Sequence, residues 1–477
     1  MSFTSETNLI NFDSRKVGIE FELPLVHDDG SNIDKDVLQK LWKSFVSRGW
    51  IGSVDTVSRD IHAVSKEVAG CQIILTTDIG WSEFEIVFPP LDTVSDVEGL
   101  FQAVLREIMP VILSQSLRLL SIGLVPGQIH TGDAYRTSKQ FYQIVDYFYL
   151  FNSAIATAAH QTNVSVRIDE VTDAVNELSV VSGLLLSLTA NSSISEFRVL
   201  PWRSWRHVLF SKFFATNAFP KLDKIVHKIH DHPFSSLADC LGYFLKAEPH
   251  MIVPPMRDGS FVLLDKKVTW LEYLKGGKWM GTSLRGERLE VIPGPEDINT
   301  AMHNQWFATN VHISVDPAVC SLPDFINALD DDRLETYLDG KLTNCYVEYR
   351  ELPAPPPGEE CISAALVLGL VENILELQKL RKQFNWDEWK RLLDDVAVIG
   401  MDAKIGNIVC RKLLPDLLDI SKRGLKRRGF GEEKYLEKLY ERVKSGKCPA
   451  DEMNELLKIK GRDAFLDKVS YTIDNSH

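Results

Sequence analysis

Residues 16–25 read KVGIEFELPL, an apolar run that carries carboxylates at Glu20 and Glu22 on either side of Phe21. Side chains alternate along a strand, so residues 20 and 22 project from one face, roughly 7 Å apart. Two anions so placed repel, and burying them without partners is costly. One such pair is compatible with a solvated strand face. The pattern recurs, however. Residues 77–90, TDIGWSEFEIVFPP, set Glu83 and Glu85 two apart around Phe84, and residues 346–357, YVEYRELPAPPP, put Glu348 and Arg350 on one face ahead of a proline stop. Three strand-like segments far apart in sequence each place acids, or an acid and a base, among bulky apolar residues. That repetition points to carboxylates converging on a cation.

The chain has 477 residues, 44% hydrophobic and 25% charged, with a formal net charge of −13. Such a composition belongs to an ordinary globular protein with a sizeable core. The acidic balance argues against nucleic acid as a partner, which calls for a concentrated basic footprint. The polar start MSFTSETNLINFDSRK has no apolar stretch of a leader, and no apolar run reaches the length of a membrane span. Seven cysteines lie scattered with no CxxC spacing, which favours reduced thiols over a disulfide framework or a zinc site. These features predict a cytoplasmic protein, monomer or homodimer, with no membrane or nucleic-acid partner.

Helical periodicity predicts helices at 34–48, opened by Asp34 as N-cap, at 93–117, opened by TVSDVE, at 136–151 and at 169–190. Short strands are predicted between 53 and 76, at 82–88 and at 160–169, where HQTNVSVRID puts Gln161, Asn163, Ser165 and Arg167 on one face. Pro89-Pro90 ends the second acid-bearing strand, since proline cannot donate to a ladder. After Pro353-Ala354-Pro355-Pro356-Pro357 the strand signals fade, and helices are predicted at 359–382, 385–398, 408–422, 432–445 and 449–457. The class is α+β. The division is a catalytic domain over 1–358 with a helical region over 359–477 packed on it.

Magnesium and manganese take oxygen ligands and keep nucleotide phosphates in their shell. Glu20, Glu22, Glu85 and Glu348, with Asp78 or Glu83, suit two or three such ions. Ions so held bridge phosphate oxygens and neutralise charge during phosphoryl transfer. Arg206 and Arg350 suit bidentate binding of a carboxylate or phosphate. Ion pairs between these acids and nearby Arg or Lys remain the other reading.

The order KVGIEFELPL, TDIGWSEFEIVFPP, HQTNVSV, LTANSSISEF with PWRSWR, and YVEYRELPAPPP resembles the glutamate–cysteine ligase superfamily of carboxylate–amine ligases, closest to its plant and actinobacterial branch. The resemblance runs colinearly over about 16–380. It implies a glutamine-synthetase-like fold: a curved, mainly antiparallel sheet forming an active-site funnel, with outer helices. It implies an ATP- and magnesium-dependent enzyme, with manganese as substitute, that phosphorylates the side-chain carboxylate of glutamate and joins the acyl phosphate to an amine, by default cysteine. Carried over position by position, Glu20, Glu22, Glu85 and Glu348 are metal ligands, with Asp78 and Gln161 as further members. Arg350 contacts the nucleotide phosphate and Arg206 the substrate or phosphate, both catalytic. Arg203 and Asn163 join Arg206 in binding substrate. The turn ANSSISEF lacks the proline usual after its first Ser, and 250–290 keeps only the outline of the family's substrate region.

Other functions stay open: the same fold acting on a different acid or amine, in specialised metabolism or peptide modification, and a non-catalytic nucleotide-binding relative. A glycosidase-type hydrolase needs two carboxylates in different protonation states, which leaves Arg350 and the further acids without a task. Trp202, Trp205, Trp270, Trp279 and Trp306 are read as core, His160 and His312 as structural histidines. LKGGKW at 274–279 lacks the GxxxxGK[ST] frame of a phosphate loop and is read as a hairpin or loop.

Overall fold

The computed structural model describes residues 14–55, 58–78, 80–128, 156–214, 229–246, 262–266, 268–283, 286–303 and 307–472. The chain forms two compact units. The larger comprises 16–163, 180–213 and 349–477, the smaller 1–15, 164–179 and 214–348. The expected helix at 136–151 and Trp306 lie outside the described residues.

In the larger unit, KVGIEFELPL lies in the long strand β1 (Val17–His27). Helix α1 (Lys35–Ser47) follows, with Asp34 accepting from the Val37 N–H at 2.9 Å as its N-cap. Strands β2 (Ile51–Val54), β3 (Ile61–Val68), β4 (Cys71–Thr77) and β5 (Glu83–Val87) form an antiparallel meander that returns to β1. Helix α2 (Val94–Ser114) opens on a Thr93–Asp96 capping box, and β6 (Leu117–Leu119) pairs with the end of β1. Strand β7 (His160–Ser165) flanks β1 on its other side, so the order here is β7-β1-β5-β4-β3-β2.

The two faces of this sheet differ. Phe21 packs on Phe101 of α2 with ring centroids 4.4 Å apart, and Phe84 stacks on Trp42 of α1 at 5.7 Å. Residues of opposite parity, Glu20, Glu22 and Glu85, therefore project from the face that the two helices leave uncovered. Burying one face under amphipathic helices is what allows the other to carry charge.

The predicted helix 169–190 is broken at Val181 into Val171–Val180 and Ser182–Thr189. Val171–Val180 lies in the smaller unit up to residue 179; besides Ser182–Thr189, the helices of the larger unit start at 205 and, after the proline segment, run Ile362–Glu372, Ile374–Arg381, Trp386–Ile399, Leu414–Arg428, Glu437–Ser445 and Pro449–Val469. A Cβ on Gly424 would sit 2.0 Å from the Gly369 carbonyl oxygen, so glycine lets the helices Ile362–Glu372 and Leu414–Arg428 cross closely. Residue 358 marks a change from mixed to helical composition, and 359–477 fall in the same unit as β1–β6. Tyr471 ties the chain end to it, donating its hydroxyl to Glu360 at 2.9 Å and Ser121 at 3.1 Å.

The hairpin β8 (Ile194–Ser195) and β9 (Arg198–Val199) also belongs to the larger unit. The smaller unit holds an antiparallel sheet of β10 (Val262–Leu264), β11 (Trp279–Ser283) and β12 (Arg288–Val291). It also holds the neighbouring strands β13 (Thr309–Val315) and, up to Glu348, β14 (Leu342–Tyr349). LKGGKW is the end of a short helix, Trp270–Lys275, and the turn into β11. Trp270 is buried as expected, while Trp202 and Trp205 are half-buried and pair with each other at 4.4 Å. All seven cysteines are free. Among the described residues no single helix is long and apolar enough to cross a membrane.

Candidate active site

Three adjacent strands of the larger unit bring their polar side chains together. On β1–β5 the register sets Glu22 directly opposite Glu85 and Glu20 opposite Val87. Directly opposed Cβ atoms lie about 4.5–5.5 Å apart, close enough for like charges to destabilise the pair. From β7, Gln161 donates its side-chain amide to Glu22 Oε1, and Asn163 donates to Glu20 Oε1 at 3.2 Å. The Ala159 N–H completes the hold on Glu22, donating to Oε2 at 2.8 Å. Turned this way, the two amides leave Gln161 Oε1 and Asn163 Oδ1 buried with no hydrogen-bond partner among the described residues. Such orphaned oxygens are costly. Beside carboxylates they form the donor set that a hard divalent cation takes.

The charges around Glu22 are mixed. Burial raises its carboxyl above the ordinary value, and the nearby Asp78 raises it further. The guanidinium groups of Arg206 and Arg350 and the Ala159 N–H pull it back without cancelling the rise. Arg206 sits in the first turn of the helix Trp205–Phe214, its N–H donating to Ser192 Oγ at 3.2 Å, and its Nη1 donates to the Arg350 carbonyl at 2.9 Å. Two arginines thus lie within electrostatic reach of one buried carboxyl, next to an acid on β5. The arrangement can receive a di- or trianion together with the cation that accompanies it.

Other expected site residues are placed as follows. Arg203 is committed elsewhere, its Nε to Asp451 at 2.9 Å and its Nη1 to the Val398 carbonyl at 2.8 Å. These bonds tie the segment that carries Arg206 to Asp451 and to the Val398 carbonyl. Glu83 is buried and accepts from the Gly80 N–H at 2.7 Å, shaping the turn before β5. In the smaller unit Glu348 is buried, accepting from His312 Nε2 at 2.8 Å and Asn310 Nδ2 at 3.3 Å. His312, read as structural, is therefore a direct partner of an expected ligand. His160 is fully buried edge-on to Phe21, and burial lowers its pKa to about 3. Among the described residues no group of three or more His, Cys, Asp or Glu side chains lies close enough to hold a metal ion. Acids two apart on a strand diverge by roughly 7 Å, and both Glu22 oxygens already accept N–H bonds. The oxygen donors that do come together mix carboxylate and amide.

The chain, α+β with carboxylates on one face of its antiparallel sheet and a helical C-terminal region, is similar in fold to two solved ligases. The Francisella tularensis glutamate–cysteine ligase, solved in complex with AMP, superposes with a TM-score of 0.52 at 15% identity over 95% of this chain and 87% of its own. A bifunctional glutathione synthetase from Pasteurella multocida gives 0.50 at 12% identity, over 95% of this chain and 51% of that one. In sequence, residues 17–233 match the model of glutamate–cysteine ligase family 2. Chloroplastic glutamate–cysteine ligases of Medicago truncatula and Solanum lycopersicum are 29% and 30% identical over 114 residues, 23% of this chain. The match spans only 22% of the length of those plant proteins.

Proposed function

We propose that the protein is an ATP-dependent carboxylate–amine ligase that activates the side-chain carboxylate of glutamate and joins it to an amine, cysteine by default. The observation that carries this reading is the conjunction on β7, β1 and β5: opposed Glu22 and Glu85, two unpartnered amide oxygens, and Arg206 and Arg350 within reach. Glu20, Glu22, Glu85, Asp78, Gln161 and Asn163 fit magnesium or manganese, whose contribution when bound is to screen the phosphates of ATP. For Glu348 the support is its place in the motif order, beside Arg350.

Arg206 and Arg350 would orient the γ-phosphoryl group against the attacking carboxylate and stabilise its equatorial oxygens. A substrate carboxylate oxygen forms the new P–O bond while the bond to ADP breaks. The amine nitrogen then attacks the acyl carbon, the C–O bond to phosphate breaks, and the amine proton leaves to water. The test is ADP and phosphate release with Mg-ATP, with glutamate fixed and amino acids or small amines offered in turn. Oxygen-18 in the substrate carboxylate should appear in the released phosphate. Release of AMP and pyrophosphate instead would mean adenylation and overturn the acyl-phosphate route. A different acid or amine giving the signal would keep the fold and chemistry but change the substrate.

A further inference from the structure

We infer that His207, clamped between the carboxylates of Glu351 and Asp394, is a positioning residue that sets Arg206 and Arg350 as one rigid pair against Glu22. The inference rests on the ligase reading, which gives those arginines their task. His207 Nδ1 lies 2.9 Å from Glu351 Oε1, and Nε2 lies 2.8 Å from Asp394 Oδ1. His207 and Glu351 follow Arg206 and Arg350 directly in the chain, so a bond between the second members of two dipeptides fixes the spacing of the first members. Arg206 Nη1 donating to the Arg350 carbonyl adds a second tie between the same dipeptides. A neutral ring donates from one nitrogen and a charged ring from both, so in either state the two carboxylates hold the imidazole from opposite ends. His207 and Glu351 are buried, at 2% and 1% exposure, whereas the Asp394 side chain is 67% exposed. Well-packed apolar side chains would stabilise such a spot as well as a buried charged pair does. What the polar clamp adds is a defined geometry.

Asp394 comes from the helix Trp386–Ile399, whose Ala397 carbonyl also accepts from the N–H groups of Arg203 and Ser204, at 2.9 and 3.1 Å. The C-terminal helical region therefore reaches the arginine-bearing segment directly. Misplacing a catalytic group by about 1 Å can cost about 100-fold in rate, so H207Q, which cannot bridge the two carboxylates as the ring does, should lower kcat by about 10- to 100-fold. The test is a double-mutant cycle of H207Q with R206Q, read both as ADP release and as Mg-ATP Kd. If His207 acts through Arg206, H207Q costs less than about twofold in the R206Q background, since residues acting as a unit are non-additive. Equal fold-losses in both backgrounds would mean a merely structural role and overturn the inference. If H207Q does not fold, D394N, at an exposed carboxylate, takes its place in the cycle with the same two outcomes. Wild-type turnover and ATP affinity in R206Q alone would instead sink the role assigned to Arg206 in the ligase reading.

Discussion

Glu22 and Glu85 face each other across adjacent antiparallel strands, with the Glu22 carboxyl buried and both its oxygens already accepting N–H bonds. A sheet that only needed to be stable would not oppose two acids there. The first consequence concerns stability and activity together. Because the folded state raises the Glu22 carboxyl above its ordinary 4.5, it holds that proton more tightly than the unfolded chain does. Stability is then lost as pH rises through the window above 4.5. Glu22→Gln removes that loss, and once the Gln161 amide turns over its Oε1 accepts from the new N–H. Without divalent ions it should melt higher than wild type at neutral pH, the gain vanishing in acid. Its turnover should fall by about 100-fold or more, the scale of removing one preorganised electrostatic group. Thermal melts across pH, beside ADP-release assays, check both halves. A Glu22→Gln protein that melts lower at neutral pH would refute the strain.

Glu85→Gln probes the other side of the same pair. Relieving a directly opposed like-charge contact should add about 0.2–1 kcal/mol without divalent ions. The gains of Glu22→Gln and Glu85→Gln should be less than additive in the double variant, because each alone removes the repulsion. Denaturant unfolding of the four proteins measures the coupling. Strict additivity would mean that the two carboxylates do not sense each other.

Much of this site is legible in the sequence, and the reasons are local. Period-2 alternation around Phe21 and Phe84 places Glu20, Glu22 and Glu85 on one face, and the structure keeps that face clear of α1 and α2. The starts of α1 and α2 follow from Asp34 and Thr93 because a capping side chain acts within three residues of its target. The break at Val181 is not legible, since Ser182–Thr189 continues the apolar run without Pro and its one glycine, Gly183, lies past the break. Nor is the deflection of Arg203 onto Asp451, 248 residues away, or the use of His207 and Glu351. Both depend on the fold returning a distant segment to PWRSWRH. The composition change at 358 is real in sequence, and the helices beyond it belong to the larger unit.

His160 supplies an acid limit. Its pKa is lowered to about 3 from an ordinary 6.5 by burial, so the folded state excludes a proton that the unfolded chain binds. Stability contributed by the neutral ring is present above 6.5 and is lost as pH falls from 6.5 toward 3. The slope reaches about 1.4 kcal/mol per pH unit for one proton. His160→Leu, similar in size and unable to titrate, should lose less stability than wild type over that window. Urea unfolding at a series of pH values gives the comparison, and parallel curves would exclude His160 as the titrating group.

The mixed carboxylate–amide donor set makes a prediction that does not depend on knowing the substrates. A ligand that binds only the folded state stabilises it, by about 2.7 kcal/mol at 100 times its Kd. Magnesium should therefore raise the melting temperature of the wild-type protein, and a chelator should reverse the rise and abolish ADP release. Gln161→Leu keeps Glu22 and Glu85 but removes one of the two unpartnered oxygens, and it should weaken the magnesium shift while leaving the pattern of buried apolar residues in β7 unchanged. Glu22→Gln should abolish the shift, because the cation loses its buried counter-charge. Calcium, larger and less strict in geometry, should shift the melt without supporting turnover. If magnesium moves the melting temperature of wild type, Gln161→Leu and Glu22→Gln equally, the ion binds elsewhere and the β7-β1-β5 face is not its site.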